Sequence, residues 1–505
     1  MLNHMRPRAL LSAIAAVGLL AACGAVDQGV TATRARQADD GGGTLINDDP
    51  VPDTIAGNDT PPTDYPIIDG VIDFGTDKPP QAYDGYMTAV FGDIQTWWEA
   101  TYPQLYGSPY QPLGGGVFAA YETRQEPIPG CGSGTSSYED VLTRGAFYCG
   151  DGDFMAYDDS SLLPTLVGQL GQAAVGVVMA HEFGHAIQAR ADNFANPSIL
   201  LEQQADCFAG AWSAHVARGE SDIIQFSDAD VRGGLIAMIT VRDPVGNEND
   251  GDQSHGSGFD RVGAFQDGFV GGPERCKPFF EENRESKLIA IPWTQEDLQT
   301  GGNLALADVS IAIPDDLGLF WSSLLTGSAT AFTPPTVTGY PQAGPYPPCD
   351  GVDEATFAEN VFYCAATNEI LFDQDYAQQL YSAPLLVDTP LGDMSLGYLL
   401  AAAYSDAAQV ALGSQLQGEP RSLLNNCLTG VWVSDIVPPV PANRADVTGR
   451  TLQLSAGDLD EAIITAMLRS DNSTDANVRG SAFEQIDAFR SGVLGGMDAC
   501  SALLS

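Results

Sequence analysis

The 505-residue chain is short of positive charge: 22 basic residues stand against 66 acidic ones, for a net charge of −44. Lysine is nearly absent, and arginine supplies almost all of the cationic side chains. Such a surface would repel phosphate rather than neutralise it, which excludes nucleic acid as a partner. The acidity itself reads as a general solvation property rather than as one specific site. Beyond its amino-terminal stretch the chain also lacks any apolar run long enough to span a bilayer as a helix. No Cys-x-x-Cys pair occurs among the nine cysteines, which argues against a thiolate metal site. Histidine is scarce too. Of only five, two lie four residues apart in VVMAHEFGHAIQAR, residues 177–190, and that pairing asks for an explanation.

What is present suggests export. Arg6 and Arg8 precede an apolar run from Ala9 to Leu20, too short for an ordinary membrane span. The run ends in Leu20-Ala21-Ala22-Cys23, which resembles a bacterial lipobox. That resemblance implies that residues 1–22 are a lipoprotein signal peptide and that the sulfur of Cys23 is lipidated after cleavage. The expected place is the outer face of the cell membrane, with membrane contact through the lipid anchor only. Residues 23–65 are rich in Gly, Asp, Thr and Pro and poor in large apolar side chains, so they read as a disordered tether.

The rest of the chain repeats itself. HGSGFDRVGAFQDGFVGGPERC (255–276) lies without a gap on RGSAFEQIDAFRSGVLGGMDAC (479–500). EQQADCFAGAWSAHV (202–216) pairs likewise with SLLNNCLTGVWVSDI (422–436). The matches keep their order, so the folded region reads as a tandem duplication with copies at 66–285 and 286–505. Each copy holds four cysteines at corresponding places. In an exported protein the simplest pairing is Cys131–Cys149, Cys207–Cys276, Cys349–Cys364 and Cys427–Cys500, each bridge contributing about 2–4 kcal/mol.

The stretch from Leu166 to Ala191 contains no proline and many apolar residues, which predicts a largely buried helix. On a helix His181 and His185, at i and i+4, leave from one face and can share a tetrahedral zinc ion. Glu182, beside the first ligand, is placed to accept a proton from zinc-bound water rather than to bind the metal. A third ligand is still required. Gln188 and Ala191 stand where the metzincin pattern needs glycine and histidine, so that route fails. Seventeen residues after His185, Glu202 opens EQQADCFAGAW. A second helix bringing Glu202 to the zinc completes a His₂Glu set, and Asp206, one turn on, is suited to fix a ligand histidine's tautomer.

HEFGH followed by EQQAD and CFAGAW resembles the bacterial neutral zinc metallopeptidases, a gluzincin-type family. The likeness extends over the first copy: FGDIQTWWEATYP resembles the family's amino-terminal helix, and DFMAYD its cleft-edge strand, although its alternation equally fits an internal strand of the small sheet. HGS, with His255, resembles its late histidine motif. It implies an α+β, zincin-like domain of helices packed on a small sheet, one Zn²⁺, and hydrolysis of a peptide or protein substrate. Ala186 departs from the pattern, standing where many members repeat histidine, and so does Asp260, where a neutral polar residue is usual. Two roles fit His255: a donor to the oxyanion of the attacked carbonyl, or a loop residue held by the backbone. Arg261 is expected to pair with an acid, and His215 to sit at a helix end, where its charge suits the dipole.

The second copy keeps the framework and loses the chemistry. His181, Glu182 and His185 fall on Ala402, Ala403 and Asp406, while Glu202, Asp206 and His255 fall on Ser422, Asn426 and Arg479. It is expected to fold like the first copy and to bind no catalytic zinc. The alternative function class is a non-catalytic surface binding or assembly protein with a vestigial or structural zinc; the complete ligand set in copy one weighs against it.

Overall fold

In this computed structural model the described residues are 65, 67, 68, 70–240, 256–326, 332–382, 391–440, 444–471 and 481–504, apart from 133, 282, 283, 285–287 and 290. Cys23, His255 and Arg479 lie outside them. The folded chain divides into two compact units, with the boundary between Pro292 and Trp293.

The first unit opens with helix α1, Asp84–Tyr106. A small sheet follows, from strands β1 (Gly116–Ala120), β4 (Ala146–Cys149) and β5 (Phe154–Asp158), in the order β1-β5-β4. β1 runs parallel to β5, with Gly116 opposite Phe154, and β4 runs antiparallel to it, with Tyr148 opposite Met155. Parallel strands need a crossover. Here it carries the short hairpin β2 (Ile128–Pro129) and β3 (Thr135–Ser136), and helix α2 (Tyr138–Arg144). Ala120, Ile128, Val141, Phe147, Phe154 and Ala156 pack together beside the Cys131–Cys149 bridge.

Longer helices follow: α3 (Leu162–Leu170), α4 (Gln172–Arg190), α5 (Ser198–Ala217), α6 (Asp228–Thr240) and α7 (Gly258–Gly271). The sequence suggests one helix from 166 to 191, but two form. Gly171 separates them at φ 85° and ψ 172°, a backbone conformation closed to the right-handed helix and open to glycine. α5 and α7 cross closely: a Cβ on Gly210 would stand 2.0 Å from the Phe265 carbonyl oxygen, and one on Gly268 1.8 Å from that of Cys207. Cys207–Cys276 ties the same region.

Of the two places expected for the strand in DFMAYD, cleft edge or sheet interior, it takes the interior one. All five residues of β5 are buried, and it is the central strand of its sheet. The edge beside the active helix is β4. Alternating side chains in the sequence cannot say which strand of three is flanked on both sides.

The second unit presents its elements in a matching order. Helix α8 (Leu306–Leu324) precedes strands β6 (Thr336–Tyr340), β7 (Val361–Cys364) and β8 (Glu369–Asp373), ordered β6-β8-β7 with β6 parallel and β7 antiparallel to β8. Helices α9 (Gln374–Ser382), α10 (Asp393–Ala411), α11 (Gly418–Ile436), α12 (Asp458–Asp471) and α13 (Ala482–Cys500) follow. Its bridges are Cys349–Cys364 and Cys427–Cys500. All four bridges join the cysteines expected from the repeat. Among the described residues, no helix is long and apolar enough to cross a membrane.

Each unit buries a tryptophan on an aspartate of its first helix. Trp212 Nε1 donates to Asp93 at 2.8 Å, and Trp432 Nε1 donates to Asp316 at 2.9 Å. The surroundings differ. Asp93 otherwise meets the hydroxyl of Ser221, whereas Asp316 is salt-bridged to Arg450 at 2.6 Å. Asp316→Ala would take away the buried partner of the Arg450 guanidinium and leave it only the exposed Asp435, so it should cost about 3–5 kcal/mol. Asp93→Ala strands only neutral donors and should cost about 1–3 kcal/mol. Denaturant unfolding of the full chain checks the order; an equal or larger loss for Asp93→Ala would contradict it.

Candidate metal centre

α4 is buried along most of its length, so its two histidines are presented inside the unit rather than to solvent. α5 can approach because Gly184 faces it: a Cβ there would stand 2.9 Å from Ala205 Cα. That approach delivers Glu202 and Asp206 to the histidine face. Glu202 Oε2 lies 3.1 Å from His181 Nε2, and its Oε1 lies 3.4 Å from His185 Nε2. One donor atom from each of the three residues falls within 4.8 Å of the others.

The remaining ring nitrogens are already engaged. His181 Nδ1 faces Asp206 Oδ1 at 2.7 Å, and His185 Nδ1 faces the Gln188 amide oxygen at 2.9 Å. Gln188 is itself held, its amide nitrogen donating to the Leu201 carbonyl at 2.6 Å. With Nδ1–H donated to these acceptors, both Nε2 lone pairs point at Glu202, the tautomer a metal requires. Arg261 Nη2 and Nε bind Asp206 at 2.8 and 2.9 Å, with the pair fully buried. The sequence marked Gln188 only as a departure from another pattern. Its place three residues past His185, on the same helical face, was the available signal.

The electrostatics follow from this packing. Burial would lower the pKa of His181, but Asp206 and Glu202 outweigh it and hold the imidazole up at about 10. Burial likewise opposes the charge on His185, and Glu202 raises it. Glu202 is pressed upward by burial, yet the two histidines hold it well below the usual carboxylate range. Asp206 is held low by Arg261 and His181 against the same burial. The negative potential of the pocket therefore favours a cation at the two rings.

Glu202 Oε2 provides the test of fit. It is buried and has no partner in hydrogen-bond geometry, although His181 Nε2 is near. Tetrahedral ligands at about 2.0–2.1 Å from zinc stand roughly 3.3 Å apart, close to the 3.1 and 3.4 Å that separate the Glu202 oxygens from the two imidazoles. Two imidazoles and one carboxylate fit a catalytic zinc with a coordination position to spare.

Glu182 leaves α4 beside the set without joining it. Its Oε2 accepts the backbone N–H of Tyr148, on edge strand β4, at 3.0 Å. Burial raises its pKa above the ordinary carboxylate value, partly offset by His181 and His185. Asp260 is committed elsewhere: it accepts from Ser257 Oγ and from the Ile289 backbone N–H, and so fixes the start of α7. His215 sits in the last turn of α5, with Nδ1 3.3 Å from Glu220 Oε2.

Among the described residues, the corresponding face of the second unit holds no such set. Asp406 accepts from Arg421 at 2.6 Å and from Asn425 at 3.0 Å, and Asn426 accepts from the Tyr398 hydroxyl at 2.7 Å. Gln409 still donates to a backbone carbonyl of the next helix, that of Arg421 at 3.0 Å, as Gln188 does to Leu201.

Residues 75–279 match the family described as "Putative neutral zinc metallopeptidase". An uncharacterized protein of Mycobacterium tuberculosis is 32% identical over 177 residues, covering 30% of this chain and 58% of that protein. The uncharacterized protein YpfJ of Escherichia coli K12 is 30% identical over 181 residues, covering 30% of this chain and 57% of its own length. The chain thus spans little more than half the length of these relatives. No solved structure matches it. The segment that matches this family, from residue 75 to residue 279, contains the whole histidine and carboxylate cluster.

Proposed function

We propose that the chain is a zinc-dependent peptidase of the cell exterior, anchored through a lipid on Cys23 and tethered by residues 23–65, with its chemistry confined to the first unit. The observation that carries this reading is the convergence of His181 Nε2, His185 Nε2 and the Glu202 carboxylate beside an uncommitted Glu182 oxygen. His181, His185 and Glu202 would hold the ion. When bound, zinc polarises a carbonyl and lowers the pKa of a coordinated water toward neutrality.

The chain's own groups do the rest. Asp206, locked by Arg261, and Gln188, locked by Leu201, keep both imidazoles in one tautomer and orientation. Tyr148 N–H pins Glu182 Oε2 and leaves Oε1 to accept the proton of the attacking water and pass it to the leaving amine. The free edge at β4 offers an extended peptide a strand to lie against.

The second unit fits a degenerate tandem copy. Supporting this are its matching strand order, its paired disulfides and its buried tryptophan on an aspartate. It would fold without a catalytic ion, and its role would be to cover, position or recognise.

The experiment that tests the function is cleavage profiling of a proteome digest with wild type and Glu182→Ala. New amino termini should appear with wild type and be absent with the variant. Identical profiles would instead favour the binding or assembly class.

A further inference from the structure

A second cluster lies in the second unit, far along α10 from the positions that replace the zinc ligands. Asp393 opens α10, while Asp458 and Glu461 occupy the first turn of α12. One carboxylate oxygen from each falls within 4.8 Å of the others. Helix starts favour acids, and each carboxylate does serve the backbone with one oxygen. Asp393 Oδ2 accepts from Leu304 N at 2.9 Å, Asp458 Oδ2 from Ser455 N at 2.7 Å, and Glu461 Oε2 from Met394 N at 2.9 Å.

The helix starts do not account for the other oxygens. Asp393 Oδ1 and Asp458 Oδ1 are buried without a hydrogen-bond partner, in residues only 5% exposed. Both side chains line one small cavity, together with Leu304, Met394 and Trp432. Burial pushes the Asp393 carboxyl up to about 6, and burial with Asp393, Glu461 and Asp297 close by pushes that of Asp458 well above its ordinary value. Buried charges of one sign need a counter-charge. The first unit keeps only part of the arrangement. Asp230 caps α6 through Ser227 as Asp458 caps α12 through Ser455, but Gln172 and Gly233 stand where Asp393 and Glu461 do.

We propose that Asp393, Asp458 and Glu461 form a binding site for a hard divalent cation, of the calcium or magnesium class, that joins the starts of α10 and α12. Oxygen-only donors select such ions over zinc, and waters on the side of the cavity that Asp393 and Asp458 line would complete their coordination. The site is independent of the peptidase reading and lies in the unit that lacks the histidine set.

The test uses the full chain, saturated with zinc. Thermal unfolding is followed with added calcium or magnesium, and terbium luminescence is excited through tryptophan, since Trp432 lines the cavity. Calcium or magnesium should raise the unfolding midpoint of wild type and displace terbium, with the ion that acts at lower concentration identifying the occupant. Asp458→Asn and Glu461→Gln should each weaken that ion at least tenfold while leaving the zinc content unchanged. Without added ion, Asp458→Asn should be at least as stable as wild type, because it removes buried repulsion; this separates lost binding from misfolding. Wild type and variants responding alike would assign the effect to the diffuse acidic surface. Wild type showing no response, with a stabilised Asp458→Asn, would assign the cluster to protons alone. Either result overturns the site.

Discussion

Glu182→Gln is expected to retain its zinc and to lose peptide hydrolysis by about 10²–10⁴-fold, the usual contribution of a positioned general base. The substitution keeps shape and one carbonyl oxygen, so the Tyr148 N–H still has an acceptor. An amide cannot take the proton from water, however, so the loss should fall on kcat rather than on metal content. The measurement is bound zinc beside turnover of a reporter peptide. A variant that loses its metal would show that Glu182 belongs to the ligand set.

Glu202→Gln should do the reverse. A neutral amide is a poor replacement for a carboxylate in a His₂Glu site, because it brings no negative charge and its NH₂ offers the ion no donor pair. Zinc affinity should fall by more than the roughly 10–100-fold expected of Asp206→Asn, which touches the metal only through His181. Competition with a chelator of known affinity ranks the two. If Asp206→Asn loses zinc more readily than Glu202→Gln, the third ligand has been assigned to the wrong turn of α5.

Local spacing carries local geometry, and that is where the sequence was most readable. His181 and His185 share a face because helical period places i and i+4 together, and Asp206 follows Glu202 for the same reason. The disulfide pairs were legible because the cysteines fall at corresponding places in two similar stretches of sequence. Contacts between distant segments were not. Nothing local indicates that Gln188 would be anchored by Leu201, or that Glu182 would meet a backbone N–H of β4. The acids at 393, 458 and 461 come from separate segments, and each alone reads as an ordinary helix start. Gly171 was misleading in another way. Single glycines are tolerated inside helices, so only its φ of 85° shows that two helices meet there. DFMAYD was readable as a strand, but the choice between cleft edge and sheet interior was not, since strand order is a long-range property.

The most direct test of the central claim is a zinc titration of the full-length chain after exhaustive chelation, with peptide cleavage read at each point. Cleavage should be absent at the start, rise in proportion to added zinc and level off at one equivalent per chain. His181→Ala should show no such rise. Cleavage that survives chelation, or that needs a second equivalent to appear, would contradict a single zinc centre built from His181, His185 and Glu202.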